Sequence, residues 1–180
     1  MTTYQEVLDL IKRSEDQQIK FQIEADKRAE KLDRKLDKIA KMVGNIGNNQ
    51  GDVAEEFFFN TLKVNPRIGS MQFDDVSANV LKTRDGIKDE YDILLTNGNC
   101  LAIVETKYKA HINDVEHLKN RKIPNFRKLF PIYANYTIFA GIAGFHINED
   151  VVTKAEEYGF FILKRHGKLV ESDTEYMRAQ

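Results

Sequence analysis

Two apolar segments, Tyr91-Asp92-Ile93-Leu94-Leu95-Thr96 and Cys100-Leu101-Ala102-Ile103-Val104-Glu105-Thr106-Lys107, flank the dipeptide Asn97-Gly98. Asparagine and glycine tolerate the positive φ angles of a tight turn, so the pair is the strongest short-range signal for a β-hairpin. Leu101 to Val104 is apolar at every position, which suits a strand buried on both faces. A chain carrying such a strand must build a sheet and cover both sides of it. The remaining segments supply the cover. Asp52-Val53-Ala54-Glu55 has capping-box spacing and opens a helix through Glu56-Phe57-Phe58-Phe59-Asn60-Thr61-Leu62, whose three phenylalanines predict burial on most of its circumference. Val76 to Thr83 reads as a strand, and Asn113 to about Leu129 as a basic, partly helical segment interrupted near Pro124. Tyr136 to Ala143 is an apolar strand. Asn148 caps a helix with Glu149 and Asp150 in its first turn, Gly159 closes it, and Phe160-Phe161-Ile162-Leu163 is a last buried strand. Helices alternating with apolar strands predict an α/β (α+β) fold, a mixed sheet flanked by helices.

Residues 4–46 read differently. Tyr4, Leu8, Ile11, Glu15, Gln18, Gln22, Ala25, Ala29, Leu32, Leu36, Ile39, Val43 and Ile46 follow one another at alternating spacings of four and three. That is a heptad seam, apolar at both ends and polar in the middle. A helix of that length reaches about 65 Å at about 1.5 Å per residue, too long to fold back on a small domain. Self-association answers the exposed stripe, so residues 1–46 are expected to be a coiled-coil arm forming a homodimer. The Gly- and Asn-rich stretch 44–51 ends the helix, giving a linker at 47–50 and a domain at 51–180.

Bulk composition narrows the setting. The 180 residues contain 31% charged and 42% hydrophobic side chains, with a net charge of −1. That balance gives no global electrostatic pull toward nucleic acid or membrane, although a local basic face can hide within the sum. No apolar run approaches the roughly 20 residues of a bilayer-spanning helix, and the first residues lack the order of a signal peptide. The single cysteine, Cys100, excludes an internal disulfide and a multi-thiolate zinc site, so a reducing, cytoplasmic location is expected.

The chemistry-bearing residues lie at one end of the hairpin. Glu105-Thr106-Lys107 has the form acid-x-lysine, which occurs twice in the chain; the other copy, Asp33-Arg34-Lys35, is solvated heptad surface. Chance alone supplies that many, so placement carries the information. Glu105 and Lys107, two residues apart on a strand, point to the same side of the sheet. A two-residue loop at Asn97-Gly98 puts Asp92 opposite Ile103, and a four-residue loop through Cys100 puts it opposite Glu105. Either register sets Asp92 on the face of Glu105 and Lys107. Two carboxylates that close repel, so one favours its protonated form unless a cation joins them. Mg²⁺ (or Mn²⁺) suits such oxygen ligands, and the array fits hydrolysis of a phosphodiester. On the preceding helix, Glu55 shares a face with Phe59 and Leu62, whereas Glu56 shares one with Asn60 and Lys63. Glu55 is therefore the acid able to reach the site, although it also completes the capping box.

Asp92, twelve intervening residues and Glu105-x-Lys107 on a hairpin resemble the PD-(D/E)XK nuclease superfamily, the restriction-endonuclease-like group. The resemblance runs over residues 51–165 and takes in Gly51-x-x-x-Glu55 and Ala155-x-x-x-Gly159-Phe160-Phe161-Ile162-Leu163. Tyr91 stands where the pattern has proline. The resemblance implies a core of helix, three strands, helix, strand, helix and strand. It implies that Asp92 and Glu105 bind Mg²⁺ with help from the Thr106 carbonyl, and that Lys107 orients or activates water and stabilises developing charge. The implied activity is metal-dependent cleavage of nucleic acid, DNA more than RNA. The alternative is a catalytically silent scaffold that binds nucleic acid or protein.

The segment His117 to Asn148 contains Lys119, Arg121, Lys122, Arg127 and Lys128 and no acid. With Lys109 on the active strand, these six are candidates for phosphate contacts; a solvated helix surface is the plainer reading. Tyr108 continues the active strand toward a groove. His111, His117, His146 and His166 have no metal-ligand spacing.

Overall fold

The computed structural model describes residues 49–180, together with Gln17, Gln18, Lys20, Phe21, Gln22, Glu24, Lys27 and Arg28. The chain divides into two units, Met1–Asn48 and Asn49–Gln180. Each described residue of the first unit is helical and exposed, and Arg28 pairs with Glu24 one turn earlier at 3.6 Å. The seam as a whole, its dimer and residues 47 and 48 of the linker lie outside the described residues.

In the second unit, helix α1 is already formed at residue 49 and runs to 64. Asn49 and Gln50, read as linker, are thus helical, and Asp52 sits inside the helix, not at its cap. Gly51 and two Asn/Gln neighbours are weak breakers, and a helix with a strong apolar stripe can extend back through them. The stripe is Ala54, Phe58 and Leu62, all buried at spacings of four. Phe57 and Phe59 flank it half-buried, while Val53 and Val64 are exposed, so burial covers one side only.

A small hairpin follows, β1 (Arg67–Ile68) with β2 (Met71–Gln72). Then come β3 (Asp75–Arg84), β4 (Ile87–Thr96) and β5 (Cys100–Lys109) as an antiparallel meander. Helices α2 (Ile112–His117) and α3 (Ile123–Leu129) lead into β6 (Thr137–His146). Helix α4 (Glu149–Tyr158) then leads into β7 (Phe161–His166) and β8 (Leu169–Asp173). The six long strands form one sheet in chain order, with β5, β6 and β7 parallel and the other pairs antiparallel.

The sheet has a core on each side. On one, Leu101, Ile103, Ile138, Ala140 and Ile142 meet α2, α3 and α4 through Val115, Leu118, Ile123, Phe126, Val151 and Ala155. On the other, Ala102, Val104, Ala143, Phe161 and Leu163 meet Phe58 and Leu62 of α1 and Ile68 and Phe73 near the small hairpin. The mixed sheet flanked by helices, expected from the sequence, is therefore the observed fold. Consecutive parallel strands with right-handed crossovers place both connecting helical segments on one face, which leaves the other to α1.

Two turns differ from expectation. β3 and β4 are joined by Asp85-Gly86, both at positive φ, a two-residue turn between Arg84 and Ile87. Asn97 does not adopt positive φ; its Oδ1 accepts from the amides of Asn99 and Cys100, at 3.3 and 2.9 Å. That side-chain turn closes a four-residue loop, with Thr96 paired to Leu101. At the end of α4, Gly159 has φ +71°, and the amide of Phe160 donates to the carbonyl of Ala155. This is the left-handed stop anticipated at that glycine.

The segment 112–129 is helical almost throughout. Its irregularity is a π-turn over Leu118–Lys122, ahead of Pro124, which sits in the first turn of α3. Proline lacks the amide that would bond back one turn, and the wider turn preceding it absorbs that gap.

Candidate active site

The four-residue loop decides the register at the site. Ile93 pairs with Val104, and one further step along the same ladder sets Asp92 across from Glu105. The regular ladder ends there because Asp92 uses its side chain instead. Its Oδ2 accepts from the Thr106 amide at 2.7 Å and from Thr106 Oγ1 at 3.0 Å. The opposite neighbour, Asn79 in β3, has φ +52°, a left-handed backbone that interrupts the regular strand geometry beside Asp92 while the register on either side is kept. Beyond it the faces exchange: Ile93 and Leu95 belong to the α1 side, while Tyr91 packs with the helices of the other side. Strict alternation through Asp92, which a regular strand predicts, does not hold. Asp92 sits at the crossover, still close to Glu105 and open toward α1.

Glu105 is 5% exposed and held by two lysines. Lys107 Nζ donates to its Oε1 at 2.8 Å, and Lys122 Nζ lies 3.0 Å from its Oε2. The second contact is an ion pair without hydrogen-bond alignment. Oε2 is enclosed and is the one buried side-chain polar atom among the described residues that takes no hydrogen bond. Glu55 faces the site from α1. A cleft of about 260 Å³ lies between α1 and the β3–β4 crossover, lined by Asp52, Glu55, Glu56, Phe59, Ala78, Asn79 and Asp92.

The electrostatics follow from burial and crowding. Burial raises the pKa of Asp92 and the Glu105 charge raises it further, against the Thr106 amide and the two lysines. Glu55 is also raised, first by burial and then by Asp92 and Asp52, with Lys107 opposing. Burial works against the Lys107 ammonium, yet the Glu105 carboxylate, with Asp92 behind it, holds its pKa above that of an ordinary lysine. Lys107 is thus held as an ammonium by its carboxylate neighbours. The Tyr91 phenol is pushed well up by burial and by Asp89 and Glu105, so it stays protonated and donates to the Lys122 carbonyl at 3.0 Å.

A raised acid has a consequence for stability. Between the ordinary aspartate value and its raised value, folded Asp92 holds a proton that the unfolded chain releases. Its share of stability is present on the acid side and is lost as pH climbs through that window. Asp92→Asn keeps an acceptor for Thr106 and removes the charge. It should make the metal-free protein more resistant to urea at pH 7, with the gain shrinking as pH falls toward 4.5. A gain that stays constant across that range would show that Asp92 is not strained.

The structure thus brings Asp92, Glu105, Lys107, Thr106 and Glu55 together. The six basic candidates scatter. Lys122 is 7% exposed and turned inward, so it is not a phosphate-facing surface residue. Arg127 is tied to the carbonyls of Ala134, Tyr136 and Gln180, and Lys119 to the Gln180 side chain at 2.8 Å. Arg121 is exposed and pairs with Asp89 at 3.6 Å; Lys109 and Lys128 are exposed. The six candidates for phosphate contacts therefore do not share one surface, and Lys122, at the end of the π-turn, points inward. Sequence reasoning missed Lys122 as a member of the site, because a π-turn leaves no periodic signature. Away from these groups, the Arg165 guanidinium stacks on Phe145 and Phe57 at 4.7 and 5.1 Å. Phe145 in turn meets Tyr108, and Tyr108 meets His146.

Among the described residues, no three histidine, cysteine, aspartate or glutamate side chains are grouped to hold a metal ion. Asp92 and Glu105 offer hard oxygen donors, one of them enclosed without a hydrogen bond, and Mg²⁺ commonly uses one or two carboxylates and keeps several waters. The residues therefore fit a two-carboxylate cation site, though not a fuller protein cage.

No protein-family model and no curated protein matches the chain. Among solved structures it is similar to protein VC1899 from Vibrio cholerae, at 21% identity and a TM-score of 0.42. The overlap covers 62% of this chain and 28% of that one, so the chain spans under a third of its length. No helix among the described residues is long and apolar enough to cross a membrane.

Proposed function

We propose that residues 49–180 form a metal-dependent phosphodiesterase of the PD-(D/E)XK, restriction-endonuclease-like class, acting on nucleic acid and on DNA in preference to RNA. The observation that carries the reading is the meeting of Asp92 and Glu105 across a ladder that stops there, with the Lys107 ammonium on Glu105. The order α1, β3–β5, α2–α3, β6, α4, β7 is that of the superfamily core, with β8 added at the edge. Asp92, Glu105 and the Thr106 carbonyl would hold Mg²⁺ or Mn²⁺, with Glu55 in support. The ion would supply Lewis acidity toward a phosphoryl oxygen. Lys107, held protonated, stabilises the negative charge that grows on the phosphoryl group. The Thr106 amide and hydroxyl orient Asp92, and the Tyr91 hydroxyl anchors the π-turn behind the site. Residues 1–46 are proposed to join two such units as a homodimer.

One observation favours a second reading. Glu105 already has two ammonium partners, as a structural ion-pair cluster in a silent scaffold would. Incubating the full chain with duplex, single-stranded and branched DNA and with RNA, each with Mg²⁺, Mn²⁺ or EDTA, separates the two. We expect cleavage that needs metal and vanishes in Glu105→Ala; activity surviving that substitution would reject the assignment.

A further inference from the structure

Lys122 is a costly residue to place where it is. The π-turn carries it under the sheet, where its ammonium lies 5.5 Å from the Tyr91 ring centre, donates to the Glu90 carbonyl and faces Glu105 Oε2 at 3.0 Å. A buried ion pair usually gives less stability than apolar side chains of the same volume, so packing alone does not explain it. The charges give a reason. Three carboxylates, Asp92, Glu105 and Glu55, share the site with two ammoniums, Lys107 and Lys122, which leaves a single formal negative charge. A divalent cation entering this enclosed site would leave a net positive charge, unless an anion came with it.

The geometry points to Lys122 as a built-in counter-ion that competes with the divalent cation for Glu105, so that metal binds well only together with a phosphodiester. Lys122 is in this sense a positioning residue that couples metal to substrate, and the inference rests on the metal-site reading above. The phosphate carries the negative charge the site lacks, and Lys122 can then release Oε2 while keeping its bonds to Glu90 and the Tyr91 ring. Free protein would hold metal loosely and would not carry a reactive ion without substrate.

Titration calorimetry of the full chain with MnCl₂ tests this. Lys122→Met keeps the length of the side chain, and Lys122→Gln can also donate to the Glu90 carbonyl. Either should bind Mn²⁺ about tenfold or more tightly than wild type, because a unit charge beside the ion has gone. Lys122→Arg, which keeps the charge, should stay near wild type. On the unmodified protein, a phosphorothioate-linked thymidine dinucleotide should tighten Mn²⁺ binding by about tenfold. Neutral variants that bind Mn²⁺ no tighter, an arginine variant that tightens equally, or no effect of the dinucleotide would each overturn the coupling. Failure of the nuclease reading looks different: wild type would cut none of the substrates with any metal, whatever the calorimetry showed.

Discussion

Lys107→Ala should lose nearly all metal-dependent cleavage while the fold survives. Its side chain is 33% exposed and sits at the open end of β5, so its removal creates no cavity in either core. Glu105 keeps Lys122 at 3.0 Å, so its charge is not left alone. The loss falls on the reaction. An ammonium held beside the developing charge is the kind of group whose removal costs about 10²- to 10³-fold. Lys107→Arg should restore only part, since a planar fork does not replace a compact ammonium. The measurements are initial rates on a labelled duplex with Mg²⁺ and with Mn²⁺, alongside a urea melt. An alanine variant that cuts at the wild-type rate would remove Lys107 from the mechanism, and with it the strongest support for the enzyme.

What could be read from the chain divides along physical lines. The apolar runs at Leu101–Val104, Ile138–Ala143 and Phe160–Leu163 dictated the central strands, because only a sheet covered on both sides buries them. Gly159 marked the end of α4 because its backbone conformation is one other residues resist. Polar strands were shortened. Ile87 to Glu90 extends β4 through exposed Lys88 and Glu90, and the Asp85-Gly86 turn that starts it has the charged Arg84 on one side and only the single apolar Ile87 on the other. β8 was missed for the same reason. At the site, the choice of Glu55 over Glu56 followed helical periodicity, and the first is half-buried while the second is exposed. The exchange of faces at Asp92 was not legible, since it depends on Asn79 adopting positive φ in a neighbouring strand. Nor was the inward turn of Lys122, which arises from one wide helical turn ahead of Pro124. Pattern reading thus finds the elements, and the local departures from pattern assemble the site.

Phe126→Ala should be the most damaging simple truncation in the helical layer. The ring is fully buried on α3, stacks on Phe130 at 4.5 Å and meets Tyr91 edge-on at 5.2 Å. Tyr133 lies beyond, at 6.0 Å. A buried phenylalanine cut to alanine loses its transfer free energy and leaves a cavity, together about 3–5 kcal/mol. For a domain of this size that is a large fraction of a total of about 5–15 kcal/mol. The effect should reach the site as well as the core. Tyr91 is held between this aromatic cluster and the Lys122 carbonyl, so loosening the cluster frees the π-turn that presents the Lys122 ammonium to Glu105. The urea midpoint should fall sharply in Phe126→Ala, and Phe126→Leu, which refills most of the volume, should recover more than half of the loss. An unfolding free energy from the urea melt within about 1 kcal/mol of wild type would mean that α3 does not anchor the layer. The site would then have to owe its shape to the sheet alone.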